Sequence, residues 1–396
     1  MNILSIETSC DDTGITILEI KNNKFPPDQI KLRANLVSSQ IEVHREWGGI
    51  VPHLAKREHQ KNLIPVLKKS FQEANLKTEP FDFDSQKMKK VEEILEREEK
   101  LLADLRQFLQ ETGRPDIEFI AVTRGPGLPP ALWTGVNLAR ALSYYWSIPL
   151  IGVNHLEGHL VAPWISNKNL PEELFPVIFT LVSGGHTQII KARNFGDYKL
   201  LGETRDDAAG ECFDKTARLL GLPYPGGPEI SREAARWDQL SYQEKAVQPE
   251  EIKKIEFPRP MINSDDYDLS FSGLKTAVLY AHRQQKQEII DHQYYVPKMA
   301  SEIQKSIIDV IIKKSLKAAR ETNAQYIFLN GGVAANKLLR EEFKEKARQE
   351  GFQLFVPPFQ FCTDNAAMIG LAGFYHYLQE DRDSWSDLKV NSTLRL

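Results

Sequence analysis

A chain of 396 residues exceeds what one hydrophobic core usually supports, so we expect two domains. Hydrophobic residues at 41% and charged residues at 26% are ordinary for a globular enzyme and fit neither a disordered chain nor a membrane protein. The net charge of −4 argues against a free-standing nucleic-acid binder, which is usually basic, so an RNA ligand would require local basic patches or partner proteins.

The first residues and the cysteines indicate a cytoplasmic protein. Strand-like sequence begins at once, without the basic and apolar regions of a secretory signal, and no later apolar run reaches membrane-spanning length. The cysteines Cys10, Cys212 and Cys362 are scattered and odd in number, which suggests neither a disulfide framework nor a zinc knuckle. We expect reduced thiols.

Two supersecondary units are each predicted twice. The first is a strand, a polar turn and a second strand, at residues 3–7, 8–14 and 15–20 and again at residues 177–182, 183–187 and 188–191. The second unit is a strand, a glycine turn and a helix. It is predicted first at residues 117–123, 124–128 and 130–145. Its second copy has a strand at 326–329, a turn at 330–332 and a helix through Leu338 and Phe343. We therefore predict an α/β protein made of two duplicated domains of the actin, sugar kinase and Hsp70 type around a nucleotide cleft.

The glycine turns before helices are candidate nucleotide-binding loops. Their exposed backbone N–H groups and the positive end of the helix dipole suit phosphate or carboxylate oxygens. A glycine turn alone is weak support, but four such turns in corresponding positions favour an ATP-type or AMP-type nucleotide with Mg²⁺. Asp11 and Asp12 in the first turn are candidates for a phosphate-bound cation, although a simple turn role explains them equally well.

His155 and His159 indicate a metal site, because imidazoles four residues apart on a helix share one face. An isolated pair of this kind is more often made of ordinary hydrogen-bonding histidines. Asp364 is our candidate for a third ligand, and its alternative role is an N-cap for the helix that follows. Two His with one carboxylate suit one divalent ion, either Fe²⁺ or Zn²⁺.

A metalloprotease site is not predicted from this pair. In that motif a Glu directly follows the first His, whereas Leu156 stands there in this chain. Glu157 lies two residues on and points about 200° around the helix, away from the metal face.

The predicted first domain covers residues 1–150 and contains a charged helical insertion at about residues 80–114. The apolar residues of the insertion fall near heptad spacing and predict an amphipathic helix, alone or as half of a hairpin, packed on the host domain rather than a partner-binding coil. A helix over residues 364–379 is predicted to return to the first domain, which a C-terminal segment at about 370–396 completes. The second domain is predicted over residues 151–369 and carries the His pair and the site loops.

Across nearly the whole chain, ordered motifs resemble the TsaD-type tRNA adenosine threonylcarbamoyltransferases, bacterial and organellar branch. The motifs are IETSCDDTG, GGIVPHLAKREH, TRGPGLPPAL, GVNLARAL, NHLEGHL, LVSGGHT, DDAAGECFDKTARLLGLPYPGGP, LSFSGLKTA, NGGVAANKLLR and FCTDNAAMIG. The resemblance implies transfer of threonylcarbamoyl from threonylcarbamoyl-AMP to the exocyclic amine of adenosine-37 in tRNAs that read codons beginning with A. It also implies a TsaB-like paralogue and a TsaE-like ATPase as partners, and a TsaC-like enzyme that supplies the intermediate.

The resemblance also implies site residues. Metal ligation falls to His155, His159 and Asp364, and the adenylate site is implied to comprise Leu181, Val182, Ser183, Gly184, Gly185, Asp214, Gly227 and Asn336. Asp214 suits ribose hydroxyls, Gly227 permits close approach of the backbone, and Asn336 offers a donor and an acceptor, with helix capping as its alternative role. No general base is assigned, and His186 is merely near the site loop in sequence.

Two departures from the family pattern are His53, where an acidic residue is common, and the long insertion. Two other functions remain open from the sequence. A small-molecule kinase of the same fold would not need the metal ligands, and a non-catalytic ATP-binding scaffold would lack them.

Overall fold

The computed structural model describes residues 1–80, 83–166, 170–171 and 173–396. The chain forms two compact units, Met1–Asn169 with Thr363–Leu396, and Leu170–Cys362. Each unit is built around its own sheet and its own hydrophobic core. Within the part of the chain that is described, no helix has both the length and the apolar composition needed to cross a bilayer.

The first unit contains a five-stranded sheet in the order β3-β2-β1-β4-β5. Its strands are β1 (Asn2–Glu7), β2 (Asp12–Ile20), β3 (Ile30–Ser39), β4 (Phe119–Gly125) and β5 (Leu150–Asn154). The first three strands pair antiparallel, and β4 and β5 continue the sheet in parallel. β1 and β4 are almost entirely buried, which explains their continuous apolar runs.

The second unit repeats this plan in a sheet of order β10-β9-β6-β7-β8. Its strands are β6 (Val177–Val182), β7 (Thr187–Asn194), β8 (Asp197–Glu203), β9 (Tyr326–Asn330) and β10 (Gln353–Phe355). Here too the hairpin strands are antiparallel, and the two later strands are parallel to the first. The shared order of third, second, first, fourth and fifth strand confirms the predicted duplicated α/β fold.

Helices connect the strands and cover the sheets. In chain order they are α1 (Ile41–Arg45), α2 (Pro52–Glu73), α3 (Ser85–Ile94), α4 (Glu99–Glu111), α5 (Pro129–Trp146), α6 (His155–Val161), α7 (Ala209–Leu219), α8 (Gly226–Asp238), α9 (Tyr242–Ala246), α10 (Glu250–Lys253), α11 (Ser272–Gln284), α12 (Gln287–Ile290), α13 (Tyr295–Glu321), α14 (Lys337–Gln349) and α15 (Ala366–Leu378). Single 3₁₀ turns lie at Ala162–Ile165, Gly332–Ala335 and Phe359–Phe361.

The C-terminal helix α15 packs on the sheet of the first unit, as predicted. Two glycines make the contact close. A Cβ at Gly370 would lie 2.3 Å from Cδ1 of Leu18, and one at Gly373 would lie 2.7 Å from Cβ of Ala121. The helix is therefore held directly against β2 and β4, which fixes the position of the residues that precede it.

The insertion forms two helices, α3 and α4, as the hairpin alternative predicted. Asp84 caps α3, because its Oδ1 accepts hydrogen bonds of 2.9 Å from the backbone N–H groups of Gln86 and Lys87. The apolar residues that predicted an amphipathic helix, Val91, Ile94, Leu101, Leu105 and Phe108, are all buried. They join the core of the first unit, where the two helices contact α2 and α5, so the predicted packing on the host domain is confirmed. Residues 81 and 82 of the predicted insertion lie outside the described residues.

The boundaries of the two units differ from the predicted ones. The prediction divided the chain after residue 150, whereas the structure divides it after Asn169 and again before Thr363. The reason is that Leu150–Asn154 forms β5, which pairs with β4 of the first sheet, and α6 follows β5 without a linker. The His pair is therefore part of the first unit rather than the second.

Candidate metal centre and nucleotide cavity

The start of α6 places the two histidines. Asn154 ends β5, and its side-chain oxygen accepts a 2.9 Å hydrogen bond from the backbone N–H of Leu156, which caps the helix. His155 is therefore the first helical residue, and His159 follows one turn later on the same face. Their ring centroids lie 4.7 Å apart, with the ring planes at 83°.

Close packing of α6 on α15 brings the third residue to this pair. Gly158 makes it possible, since a Cβ there would lie 2.8 Å from Cδ1 of Ile369. Asn365 caps α15 by accepting a 3.1 Å hydrogen bond from the N–H of Met368. The capping role considered for Asp364 thus belongs to its neighbour, and Asp364 stands just ahead of the helix.

His155, His159 and Asp364 come together as the sequence predicted. Oδ1 of Asp364 is 3.5 Å from Nε2 of His155 and 3.2 Å from Nε2 of His159. One ligand atom from each residue lies within 4.8 Å of the other two. The histidines are buried, whereas the Asp364 side chain keeps 23% of its surface exposed, so the cluster has one accessible side. Two imidazoles and a carboxylate with an accessible side fit Fe²⁺ or Zn²⁺.

Glu7, which sequence reasoning did not assign, orients His155. Its Oε2 lies 3.1 Å from Nδ1 of His155 and accepts a 2.5 Å hydrogen bond from the Thr123 hydroxyl. Its Oε1 accepts a 2.5 Å hydrogen bond from the N–H of Ser9. Because a carboxylate can only accept, Nδ1 of His155 carries a proton, and Nε2 is the ring nitrogen that faces Asp364. The available signal was a glutamate at the end of an otherwise apolar buried strand.

The electrostatics of the cluster favour a cation. Burial lowers the pKa of His155, but the carboxylates of Asp364 and Glu7 together raise it to about 9. Burial lowers the pKa of His159 against the opposing effect of Asp364. One imidazole is therefore held protonated by the surrounding negative charge, and a bound metal ion would replace that proton.

Asp11 and Asp12 add to this negative region. Burial, followed by the charges of Asp11 and Asp364, raises the pKa of Asp12 to about 7. Carboxylates crowded in this way repel a bare phosphate and attract a cation. Asp12 therefore lies in the same negatively charged region as Asp364.

Glu157 takes no part in the cluster. Its Oε2 lies 2.7 Å from Nε2 of His376 on α15, and His376 also contacts Asp381 at 3.1 Å. The buried carboxylate is thus engaged away from the three candidate ligands. This placement agrees with the rejection of a metalloprotease site.

The second unit contains a cavity of about 730 Å³. It is bounded by α7, α8, α13, the start of α14 and the turns after β6 and β9. Four residues of the predicted adenylate site line it, namely Gly184, Asp214, Gly227 and Asn336. Cavities of this size and largely apolar lining are typical of small-molecule sites.

The other predicted adenylate residues do not line the cavity. Leu181 and Val182 are fully buried residues of β6. Ser183 closes the turn, since its N–H donates a 2.8 Å hydrogen bond to the carbonyl of His186. Apart from its chain neighbours, none of the described residues lies within 4 Å of the position that a Cβ would take at Gly185, so this part of the turn is open.

Glycines hold the turns against the helices. A Cβ at Gly210, in the first turn of α7, would lie 2.8 Å from Cα of Gly184 and 2.8 Å from the carbonyl of Ser183. Gly331 has φ of +90°, and a Cβ there would lie 2.4 Å from the carbonyl of Val182. Side chains at either position would force the turns apart, so the turn geometry depends on these glycines.

The polar residues of the cavity are held by local contacts. Asp214 accepts a 2.7 Å hydrogen bond from the N–H of Gly226, and burial raises its pKa. Gly227 leaves open space: a Cβ built there would lie 3.9 Å from Cβ of Phe213, the nearest contact in the described part of the chain. Asn336 caps α14 by accepting a 3.0 Å hydrogen bond from the N–H of Leu339, so the capping role considered from the sequence is observed.

The chain is similar to known proteins of one family. A family model described as TsaD, tRNA N6-adenosine threonylcarbamoyltransferase, matches residues 31–83 and 96–371 and leaves the segment around α3 unmatched.

Proteins named tRNA N6-adenosine threonylcarbamoyltransferase are similar to this chain over almost their full length. One from Anaeromyxobacter sp. (strain Fw109-5) is 40% identical, with 100% of both chains covered. One from Thermosipho africanus (strain TCF52B) is 39% identical, covering 95% of this chain and 94% of the relative. One from Bacillus cereus (strain ATCC 14579) is 40% identical, covering 96% and 92%. The chain therefore belongs to the TsaD family of tRNA N6-adenosine threonylcarbamoyltransferases.

Proposed function

We propose that this transferase moves the threonylcarbamoyl group of threonylcarbamoyl-AMP to the N6 amine of the adenosine just 3′ of the anticodon, in tRNAs that read codons beginning with A. The observation that carries the proposal is the convergence of His155, His159 and Asp364, with ligand atoms within 4.8 Å of one another, in a chain of this family. A kinase of the same fold would have no use for that cluster.

The proposed step needs little covalent help from the protein. The N6 amine attacks the carbamoyl carbon and loses a proton. The bond between that carbon and the phosphate oxygen breaks, and AMP leaves with the electron pair. Because AMP is a good leaving group, orientation and charge stabilisation are expected to account for most of the rate.

His155, His159 and Asp364 would hold one divalent ion, Fe²⁺ or Zn²⁺. Bound there, the ion would supply a Lewis acid for the carbamoyl oxygen or a clamp for the threonyl carboxylate. Glu7 holds Nδ1 of His155 and leaves Nε2 facing Asp364, so the ligand set is oriented before an ion displaces the Nε2 proton.

The adenylate part of the donor is proposed to occupy the cavity of the second unit. Asp214 and the open position at Gly227 line it and suit a ribose and a closely approaching nucleoside. We further propose a TsaB-like paralogue and a TsaE-like ATPase as partners, with a TsaC-like enzyme as the source of the adenylate. A net charge of −4 makes a partner contribution to tRNA binding plausible on electrostatic grounds.

The test is reconstitution with synthetic threonylcarbamoyl-AMP, tRNA and the presumed partners, with the modified nucleoside measured by mass spectrometry after digestion of the tRNA. We expect modification by the wild type and a loss of at least about 100-fold in Asp364→Ala. Asp28→Ala is the matched control, because Asp28 is 63% exposed in a surface pair with Lys24. Absence of modification with demonstrably active partners, or full activity of Asp364→Ala, would contradict the proposal.

A further inference from the structure

Gln304 forms part of the cavity wall in the second unit. It lies on α13, its side chain points to the cavity side, and only 4% of its surface is exposed. A buried carboxamide has two donor hydrogens and one acceptor oxygen to satisfy. Which of these groups faces the cavity follows from its hydrogen-bond partners.

The backbone of α14 fixes the first link. The N–H of Leu339 can only donate, so the atom of Asn336 that it contacts at 3.0 Å must be the acceptor Oδ1. The other end of Asn336 is therefore its donor group, Nδ2. That group lies 2.7 Å from Gln304 and 3.0 Å from the Ser231 hydroxyl.

The second link fixes Gln304. Because Nδ2 of Asn336 donates, its partner on Gln304 must be the acceptor Oε1, which also lies 2.9 Å from the hydroxyl of Ser231. The donor group Nε2 is thus turned away from both partners. Among the described residues, no acceptor lies within hydrogen-bond distance of Nε2. On a side chain that is otherwise buried, this donor is open to the cavity and available to an acceptor on a ligand.

The surroundings of Gln304 suit a nucleobase rather than a phosphate. Phe213, Pro228 and Leu338 supply apolar walls. The carboxylates of Asp214, Asp238 and Glu341 outnumber the one lining cation, Lys337, and so disfavour an anion, although Lys305 partly neutralises Asp238 at 2.8 Å. A flat ring with acceptor nitrogens meets both conditions.

We propose that Gln304 is a specificity residue that recognises the adenine of the bound adenylate, with its Nε2 donating a hydrogen bond to a ring nitrogen of the base. The inference rests on the proposed function, because that function places an adenylate in this cavity. The Ser231, Gln304 and Asn336 network sets the direction of the donor before the ligand binds. Gln304 thereby acts on affinity for the nucleotide and not on the acyl transfer itself.

The test measures AMP binding to the full chain by calorimetry, with Gln304→Glu as the main variant. The carboxylate can still accept from Asn336 and Ser231, but it cannot donate to the base. We expect AMP to bind about 10- to 100-fold more weakly. Gln284→Glu is the matched control, since it adds the same charge at an exposed position of the same unit outside the cavity, and it should bind AMP as the wild type does.

Deaza analogues identify the atom that Gln304 contacts. The wild type should bind one of 1-deaza-, 3-deaza- and 7-deaza-AMP more weakly than it binds AMP. For that analogue, Gln304→Glu should cause little further loss of affinity.

If Gln304→Glu does not fold, as judged by thermal unfolding, Gln304→Met replaces it. Met removes the same donor without adding a charge, and the same loss of AMP affinity is expected.

Two kinds of failure are distinguishable. If the wild type binds no AMP, the proposed function fails and the inference fails with it. If the wild type binds AMP and folded Gln304→Glu binds it equally well, the proposed function stands and the inference is overturned. Coupling of Gln304 to the 2′-hydroxyl or 3′-hydroxyl, shown with deoxy analogues instead of deaza ones, would also overturn the assignment to the base.

Discussion

Glu7 shows how a residue outside the ligand set can determine what the ligands do. It is fully buried and accepts hydrogen bonds from Thr123, Ser9 and the ring of His155. Burial by itself would raise the pKa of Glu7, but the neighbouring His155 more than offsets this and lowers it. The ionised carboxylate and the oriented imidazole therefore depend on each other.

Replacement of Glu7 by Gln should weaken metal binding without unfolding the chain. The amide oxygen can still accept from Nδ1 of His155, but the negative charge that raises ligand basicity is lost. We expect about 10- to 100-fold lower affinity for Zn²⁺. Competition titration with a metal indicator measures it.

Glu19→Gln provides the control for that titration. It makes the same change on β2, where Glu19 pairs loosely with Arg33 at 3.9 Å. Equal Zn²⁺ affinities for Glu7→Gln and Glu19→Gln would contradict the orienting role.

His59 should make stability depend on pH. The imidazole is buried between the Thr13 hydroxyl at 2.7 Å and the carbonyl of Cys10 at 3.0 Å, and burial lowers its pKa to about 4. An unfolded His takes up its proton near pH 6.5, so the folded state binds fewer protons between these values. Stability is fully present above about pH 6.5 and should fall by about 3 kcal/mol as the pH drops to about 4.

The measurement is the free energy of unfolding in urea at a series of pH values, for the wild type and for His59→Gln. The difference between the two curves isolates the contribution of His59, because the other titrating groups are shared. The wild type should lose more stability than the variant between about pH 6.5 and pH 4. Parallel curves would show that burial of His59 does not govern this range.

At the scale of elements, α3 lies in the internal segment that the family model does not match, yet it contributes to the core of the first unit. Met88 on α3 is 3% exposed and packs in that core, so Met88→Ala should cost about 2–5 kcal/mol in urea unfolding. Exposed Lys89 on the same helix is the control, and Lys89→Ala should cost less than about 0.5 kcal/mol. Small losses for both variants would mean that the insertion is not part of the fold.

Sequence patterns predict elements where one physical signal dominates. Apolar runs such as Leu181 and Val182 identify buried strands, and Pro130 marks the start of α5 within one residue. The division of the chain was harder to predict, because β5 and α6 join the first unit through pairing with β4. No local pattern records that pairing.

Site residues show the same contrast. The His pair has a periodic spacing, so its shared face could be predicted, whereas Asp364 was a candidate with a competing capping role until the family resemblance supported it. Asn365, not Asp364, caps α15, because Asn365 is the extended residue directly before the helix. The sequence alone does not show which of the two neighbours holds that position. The roles of Glu7 and Gln304 arise from hydrogen bonds to residues more than 30 positions away, which spacing does not reveal.

At the scale of the whole molecule, the candidate metal ligands all belong to the first unit and the cavity lining belongs to the second. A metal ion and a nucleotide should therefore stabilise different parts of the chain. Zn²⁺ should slow hydrogen exchange in α6 and at the start of α15, and AMP should slow it in α8 and at the start of α14. Hydrogen–deuterium exchange with mass spectrometry measures both effects, and the reverse pattern would contradict the assignment of the two sites.

The central claim is that the two imidazoles and the distant carboxylate hold a single metal ion. Elemental analysis of the chain after reconstitution with Fe²⁺ or Zn²⁺ and removal of free metal tests it most directly. We predict about one ion per chain in the wild type and almost none in folded His159→Ala and Asp364→Ala. Unchanged metal content in those two variants would contradict the account.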